Sequence, residues 1–174
     1  NNDKFRKALS LAINREEINQ LAYNGLGKPM QASLISGVSY YSPEWEKAYA
    51  EYDPKRANAM LDEIGLSKRD KDGFRLRPDG KRLELTLEYT PRYGPWTDIF
   101  EMVKKYWEAV GVKVAVKNIE SALWTTRRDG NELEVTGWQM DSQAPWLAEG
   151  TWMCPLGSPR YWGIEFARWW ESGG

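Results

Sequence analysis

Apolar residues recur along the first third of the chain at helical spacing. Phe5, Ala8, Leu9, Ala12 and Ile13 fall at i, i+3, i+4, i+7 and i+8, one face of an amphipathic helix. Asn14 then interrupts as an N-cap, and Glu17 three residues on completes a capping box. Ile13 and Ile18 take the two positions of a hydrophobic staple. The second helix turns Ile18, Leu21 and Ala22 inward and stops at Gly25. Asp53 caps a third, in which Pro54 opens the first turn, Ala57, Met60, Leu61 and Ile64 face inward, and Gly65 closes. Residues 28–51 read as irregular, broken by Pro29, Gly37 and Pro43. Their aromatics, Tyr40, Tyr41, Trp45 and Tyr49, are expected to pack on the domain.

The period then changes. Residues 74–77 and 82–89 read as strands joined by Pro78-Asp79-Gly80, a turn in which Pro fixes φ and Gly tolerates a positive one. Leu83, Leu85, Leu87 and Tyr89 alternate with Glu84, Thr86 and Glu88, a strand with one buried face. A helix over 97–110 carries the stripe Ile99, Val103, Tyr106, Trp107 and Val110, and Gly111 ends it. A strand over 112–119, a helix over 121–128, a turn at 129–131 and a strand over 133–139 follow. Strand, helix, strand, helix, strand with short connections predicts an α/β fold with neighbouring strands parallel. Clean alternation suits a half-exposed sheet, so one strand is expected near an edge or the sheet to be mixed. Trp162, Phe166, Trp169 and Trp170 fall at i, i+4, i+7 and i+8 and read as the core face of a last helix.

Composition narrows the function classes. The 174 residues suit one domain. With 24 basic and 25 acidic residues the net charge is −1, against a general nucleic-acid or anionic-membrane binder, which needs a basic surplus. No apolar run approaches the roughly 20 residues of a membrane span, and no export signal opens the chain. Cys154 is the one cysteine, so there is neither an internal disulfide nor a cysteine cluster for zinc. Histidine is absent, which removes the commonest general base and transition-metal ligand, and with it any Ser-His-Asp or Cys-His arrangement. No metal and no cofactor is expected.

The wording and order of the cassettes carry a resemblance. The run FRKALSLAINREEI, then GLGKP, then YDPKRANAMLDEIGL, then GWQMD is similar to the family 5 solute-binding proteins of bacterial ABC importers, with oligopeptide-, dipeptide-, nickel- and oligosaccharide-binding members. The resemblance spans nearly the whole chain. It implies a type II periplasmic-binding-protein-like lobe, a mixed, mainly parallel sheet flanked by helices. Residues 1–174 would form a single domain, the C-terminal lobe of a two-lobed receptor, with the parent polypeptide extending on both sides. The opening Asn-Asn and closing Glu-Ser-Gly-Gly agree with an excised piece. The implied location is extracytoplasmic, periplasmic or cell-surface. The implied partners are a small-molecule ligand, oligosaccharide or peptide, and the membrane subunits of an ABC importer.

Residues 137–146, GWQMDSQAPW, leave the last expected strand at its C-terminal end, where open α/β sheets place ligands. The segment matches the family's Gly-Trp-x-x-Asp pattern. In peptide-binding relatives the matching Asp holds the ligand's α-amino group, a role the resemblance gives to Asp141; the alternative is a loop carboxylate capping local backbone N–H groups. The chain departs from the family at Ser142-Gln143-Ala144-Pro145, which puts the peptide role in question.

Tryptophan is the second signal, ten in the chain and most in its last third. An indole offers a large apolar face to a pyranose and a hydrogen-bond donor at its edge. Trp107 belongs to a helix stripe and is expected in the core. Trp124, Trp138, Trp146 and Trp152 fall on no stripe and are the candidate ligand platforms, with Asp141, Gln139, Gln143, Asn118 and Arg127 as polar neighbours. The loop over 150–163, rich in Gly and Pro, also lies in this region. GLGKP lacks the remaining elements of a phosphate loop, and Asp70, Asp72 and Asp79 match no calcium loop.

The leading expectation is a non-enzymatic binding lobe that captures its cargo by hinge closure. One rival is a carbohydrate-active enzyme pairing Asp141 with Glu132, Glu134 or Glu149 beside Trp platforms. Another is an adaptor that binds protein through surface aromatics.

Overall fold

The structure, a computed structural model, describes residues 2–33, 36–39, 41–91, 94–138 and 163–174. Helix α1 (Asp3–Leu11) starts where the Asn2 side chain accepts from Phe5 N at 3.2 Å. Helix α2 (Arg15–Tyr23) opens on the expected cap, Asn14 Oδ1 accepting from Glu17 N at 3.1 Å. The return contact differs from a capping box, because it is the Asn14 side chain, through Nδ2, that donates to the Glu17 carboxylate at 3.4 Å. Ile13 and Ile18 are both partly buried against the core. The short α3 (Pro43–Lys47) stands inside the stretch expected to be irregular, capped by Ser42 with Pro43 in its first turn. Its Trp45 is exposed rather than packed. In α4 (Pro54–Glu63), Asp53 accepts from Arg56 N at 2.9 Å, and Ala57 and Leu61 are fully buried against Ala8, Leu11 and Ala12 of the α1 region.

One inward position is corrected. Leu21 is 67% exposed, and Asn19 takes the inward side of α2. The Asn19 carboxamide pairs with the backbone of Gly27, accepting from its N–H at 2.8 Å and donating to its C=O at 3.0 Å. That clamp ties the loop after α2 to the face shared with Ile18 and Ala22, leaving Leu21 on the other side of the helix.

Strands β1 (Glu84–Tyr89) and β2 (Lys113–Asn118) run parallel, from Glu84 opposite Lys113 to Tyr89 opposite Asn118. The crossover is α5 (Trp96–Ala109), whose Ile99, Phe100, Val103 and Trp107 line the core together with Leu87, Val112 and Val114. Trp107 also donates from Nε1 to Leu9 O at 3.0 Å, tying α5 to α1. On the other side of β1, Val135 pairs with Leu87, also in parallel. The strand expected over 133–139 is therefore a single bridge up to residue 138, and residues beyond that lie outside the described set. The cause is local. Thr86 N donates to the Glu134 carboxylate at 2.7 Å, so a side chain takes the donor that would have made the next ladder rung. Among the described residues β2 is the edge of the sheet, which accounts for its half-buried alternation.

Two further expectations change. The strand over 74–77 reduces to two antiparallel bridges, Arg69 with Arg75 and Leu76 with Arg82. The alternation in β1 breaks at Glu88, which is buried beside the Arg127 guanidinium at 2.8 Å. Among the described residues the last helices are α6 (Ser121–Asp129) and α7 (Ile164–Glu171). In α7 the buried residues are Ile164 and Ala167, whereas Phe166, Trp169 and Trp170 are about half exposed. Arg168 donates to Asp129 O at 2.6 Å, and this anchor with Ile164 and Ala167 turns the aromatic stripe outward, not into the core. Trp162 lies outside the described residues.

Candidate ligand-binding site

The C-terminal ends of β1 and β2 open into a shallow depression lined by Thr90, Pro91, Asn118, Ile119, Glu120 and Ser121. This is the end at which parallel strands place ligands, because the connections leaving the strands diverge there. The depression is rimmed by hydroxyl, carboxamide and carboxylate groups. Its one charged lining residue is Glu120, which caps α6 by accepting from Ala122 N at 2.7 Å and Leu123 N at 3.3 Å. The positive end of that helix is thereby neutralised by the chain itself. A wider groove lies between α1 and residues 133–136; it includes neither the strand ends nor Trp138.

Beside these strand ends, α6 and the segment after Val135 bring two of the candidate tryptophans together. Trp138 is half-buried and stacks on Trp124, ring centroids 4.6 Å apart and planes 19° from parallel. Trp124 is 1% exposed, a core position and not the open platform its place outside any stripe suggests. Its Nε1 donates to Thr136 Oγ1 at 2.8 Å, and that hydroxyl donates to Glu88 O at 2.7 Å. The Arg128 guanidinium lies over the Trp124 ring, 5.1 Å from its centroid.

Of the expected polar neighbours, Asn118 lines the depression, while Arg127 is committed to Glu88 at 2.8 Å and to Glu132 at 3.1 Å. Asp141, Trp146, Trp152, Gln139, Gln143 and Glu149 lie outside the described residues. Glu132 and Glu134, nominated for a carboxylate pair, are held by Arg127 and by Thr86 N respectively. Sequence reasoning missed Glu120 and Thr136. A carboxylate just before a helix start is a readable capping signal, but nothing in the sequence shows that the Thr136 hydroxyl would meet an indole 12 residues away.

Comparison with known proteins places the chain. The profile of bacterial extracellular solute-binding proteins, family 5 Middle, matches residues 1–158. A probable ABC transporter-binding protein of Deinococcus radiodurans is 30% identical over 131 residues, covering 75% of this chain and 22% of that protein. Among solved structures, an oligopeptide-binding protein OppA superposes with a TM-score of 0.87 at 46% identity, covering 95% of this chain and 26% of that one. A mannohexaose-bound periplasmic oligopeptide-binding protein of Thermotoga maritima gives a TM-score of 0.69 at 27% identity, over 82% of this chain and 28% of that one. The chain thus spans about a quarter of the length of the relatives it matches.

Proposed function

This chain belongs to the family 5 bacterial extracellular solute-binding proteins, and we propose that it supplies one wall of the cargo cleft in an ABC importer's receptor. Its α/β fold, helices on mainly parallel strands, is of the type II periplasmic-binding-protein class. In this reading residues 1–174 are the C-terminal lobe of a two-lobed protein that works outside the cytoplasm. Cargo bridges both lobes, and the closed form is populated because only it makes both sets of contacts. The lobe captures and releases its solute without chemical conversion. The receptor then hands the solute to the importer's membrane subunits.

The observation that carries the reading is the convergence at one end of the sheet. The depression at the ends of β1 and β2 and the half-buried Trp138 after Val135 lie where an α/β scaffold binds ligands. Cargo contact is assigned to Trp138, with Asp141, Trp146 and Trp152 as further contacts; Trp124 stands behind Trp138. An oligopeptide is the first choice of cargo, from the name of the 46% identical OppA. An oligosaccharide is the second, favoured by the mannohexaose held in the Thermotoga maritima relative and by the indole at the strand ends.

The test is a thermal-shift screen of the complete polypeptide against peptide and oligosaccharide panels, repeated on Trp138→Ala and Asp141→Ala. A ligand-induced rise in Tm that both substitutions shrink, with the ligand-free Tm nearly unchanged, supports the reading. Turnover of a chromogenic glycoside, lost in Asp141→Ala, contradicts it in favour of an enzyme.

A further inference from the structure

The two indoles at the strand ends belong to one bonded column. Trp138 stacks on Trp124 at 4.6 Å. Trp124, being 1% exposed, has almost no surface to offer a ligand. Its ring is fixed at the edge by the hydrogen bond to Thr136 Oγ1 and on the face by the Arg128 guanidinium. Turning the ring about either side-chain torsion breaks the hydrogen bond and lifts it off the cation. Thr136 in turn donates to Glu88 O, and Glu88 N donates to Val135 O at 3.0 Å. The column is therefore registered to β1, the central element of the described sheet.

We propose that Trp124 is a positioning residue: it contacts no cargo and sets the tilt and height at which the Trp138 indole stands at the strand ends. Thr136 and Glu88 carry that orientation back to the sheet, and Arg128 holds the ring from its face. This rests on the reading that Trp138 touches cargo, and deepens it. A stacked indole delivers its contact area without first losing rotamer freedom, so the pre-set ring binds more tightly than the same ring left mobile.

The test uses the complete polypeptide carrying this chain, with Trp124→Leu, Trp124→Phe, Trp138→Ala and, as a distant core control, Leu61→Val. Three quantities are measured: the exciton couplet of the stacked indoles by circular dichroism, Tm, and affinity for mannohexaose and for trialanine. Trp124→Leu is expected to abolish the couplet and weaken the bound probe roughly tenfold. Trp124→Phe, which keeps a stacked ring, should recover part of that loss. Leu61→Val should lower Tm and leave affinity unchanged. Unchanged affinity in both Trp124 variants, with Trp138→Ala still weakened, overturns the positioning role and leaves the proposed function standing. Unchanged affinity in Trp138→Ala, or binding of neither probe by the parent protein, overturns the cargo contact and the positioning role with it.

Discussion

The backbone of Gly137 passes so close to the ring of Phe100 that a β-carbon built there would stand 2.4 Å from Cζ. Phe100 has little room to yield, since it stacks on Trp96 at 5.3 Å and tilts against Tyr89 at 4.9 Å. The Gly of the Gly-Trp pair is thus a packing requirement: it lets the chain lie down on α5 just before Trp138. Gly137→Ala should destabilise by about 1–3 kcal/mol, the usual cost of overpacking. Urea unfolding checks this, and Phe100→Leu in the same chain should return part of the loss. Strictly additive losses would show that the two positions do not meet.

Arg75 is fully buried, and its guanidinium is spent on carbonyls and polar side chains. It donates to Val110 O at 2.7 Å and to Asn58 Oδ1 at 2.7 Å, and it also bonds Leu66 O and Asp62. The ends of α4 and α5 are thereby joined through one cation, in the favourable place for positive charge at helix C-termini. Gly111, at φ 88°, makes room, because a β-carbon there would meet the side chains of both Arg69 and Arg75. Arg75→Met should cost about 3 kcal/mol or more, as it strands several buried acceptors. Asp62→Asn should cost under about 1 kcal/mol, because that carboxylate is half exposed. Equal losses from the two substitutions would contradict the carbonyl-capping role.

Alkaline stability should depend on Tyr106. Burial, and then the neighbouring Glu17 carboxylate, push its phenol well above the ordinary 10.0. The folded chain keeps this proton longer than the unfolded chain does. The stabilisation is complete below pH 10 and is lost as pH rises beyond it, where the unfolded phenol ionises first. The decline in urea midpoint above that pH should be shallower in Tyr106→Phe. A parent and variant with parallel alkaline declines would show that another group is responsible.

Most of the scaffold was legible in the sequence, and its legibility followed the range of the interactions. The caps at Asn14 and Asp53 and the stripe on α5 are set by residues within a few positions of one another, and they stand as read, whereas the alternation in β1 holds only as far as Glu88. The departures are long-range. Leu21 turned outward because Asn19 clamps Gly27, and the expected strand at 133–139 lost a rung because Glu134 reaches Thr86. The α7 aromatics gave no warning that Ile164 and Ala167 would take the inward side, since their spacing suits a core face equally well. At the candidate site the Gly-Trp pair was visible as a motif. The burial of Trp124 was not, since it depends on Thr136, Trp138 and Arg128 meeting one ring.

The proposed division of the cleft between two lobes is tested most directly by calorimetric titration of one cargo into two samples, the complete polypeptide and the isolated 174-residue chain. The cargo is whichever peptide or oligosaccharide the screen identifies. The isolated chain should bind at least roughly a hundredfold more weakly, because half of the contacts and the closure that joins them are missing. Equal affinity in the two samples would contradict a shared cleft and place a finished pocket within this chain alone.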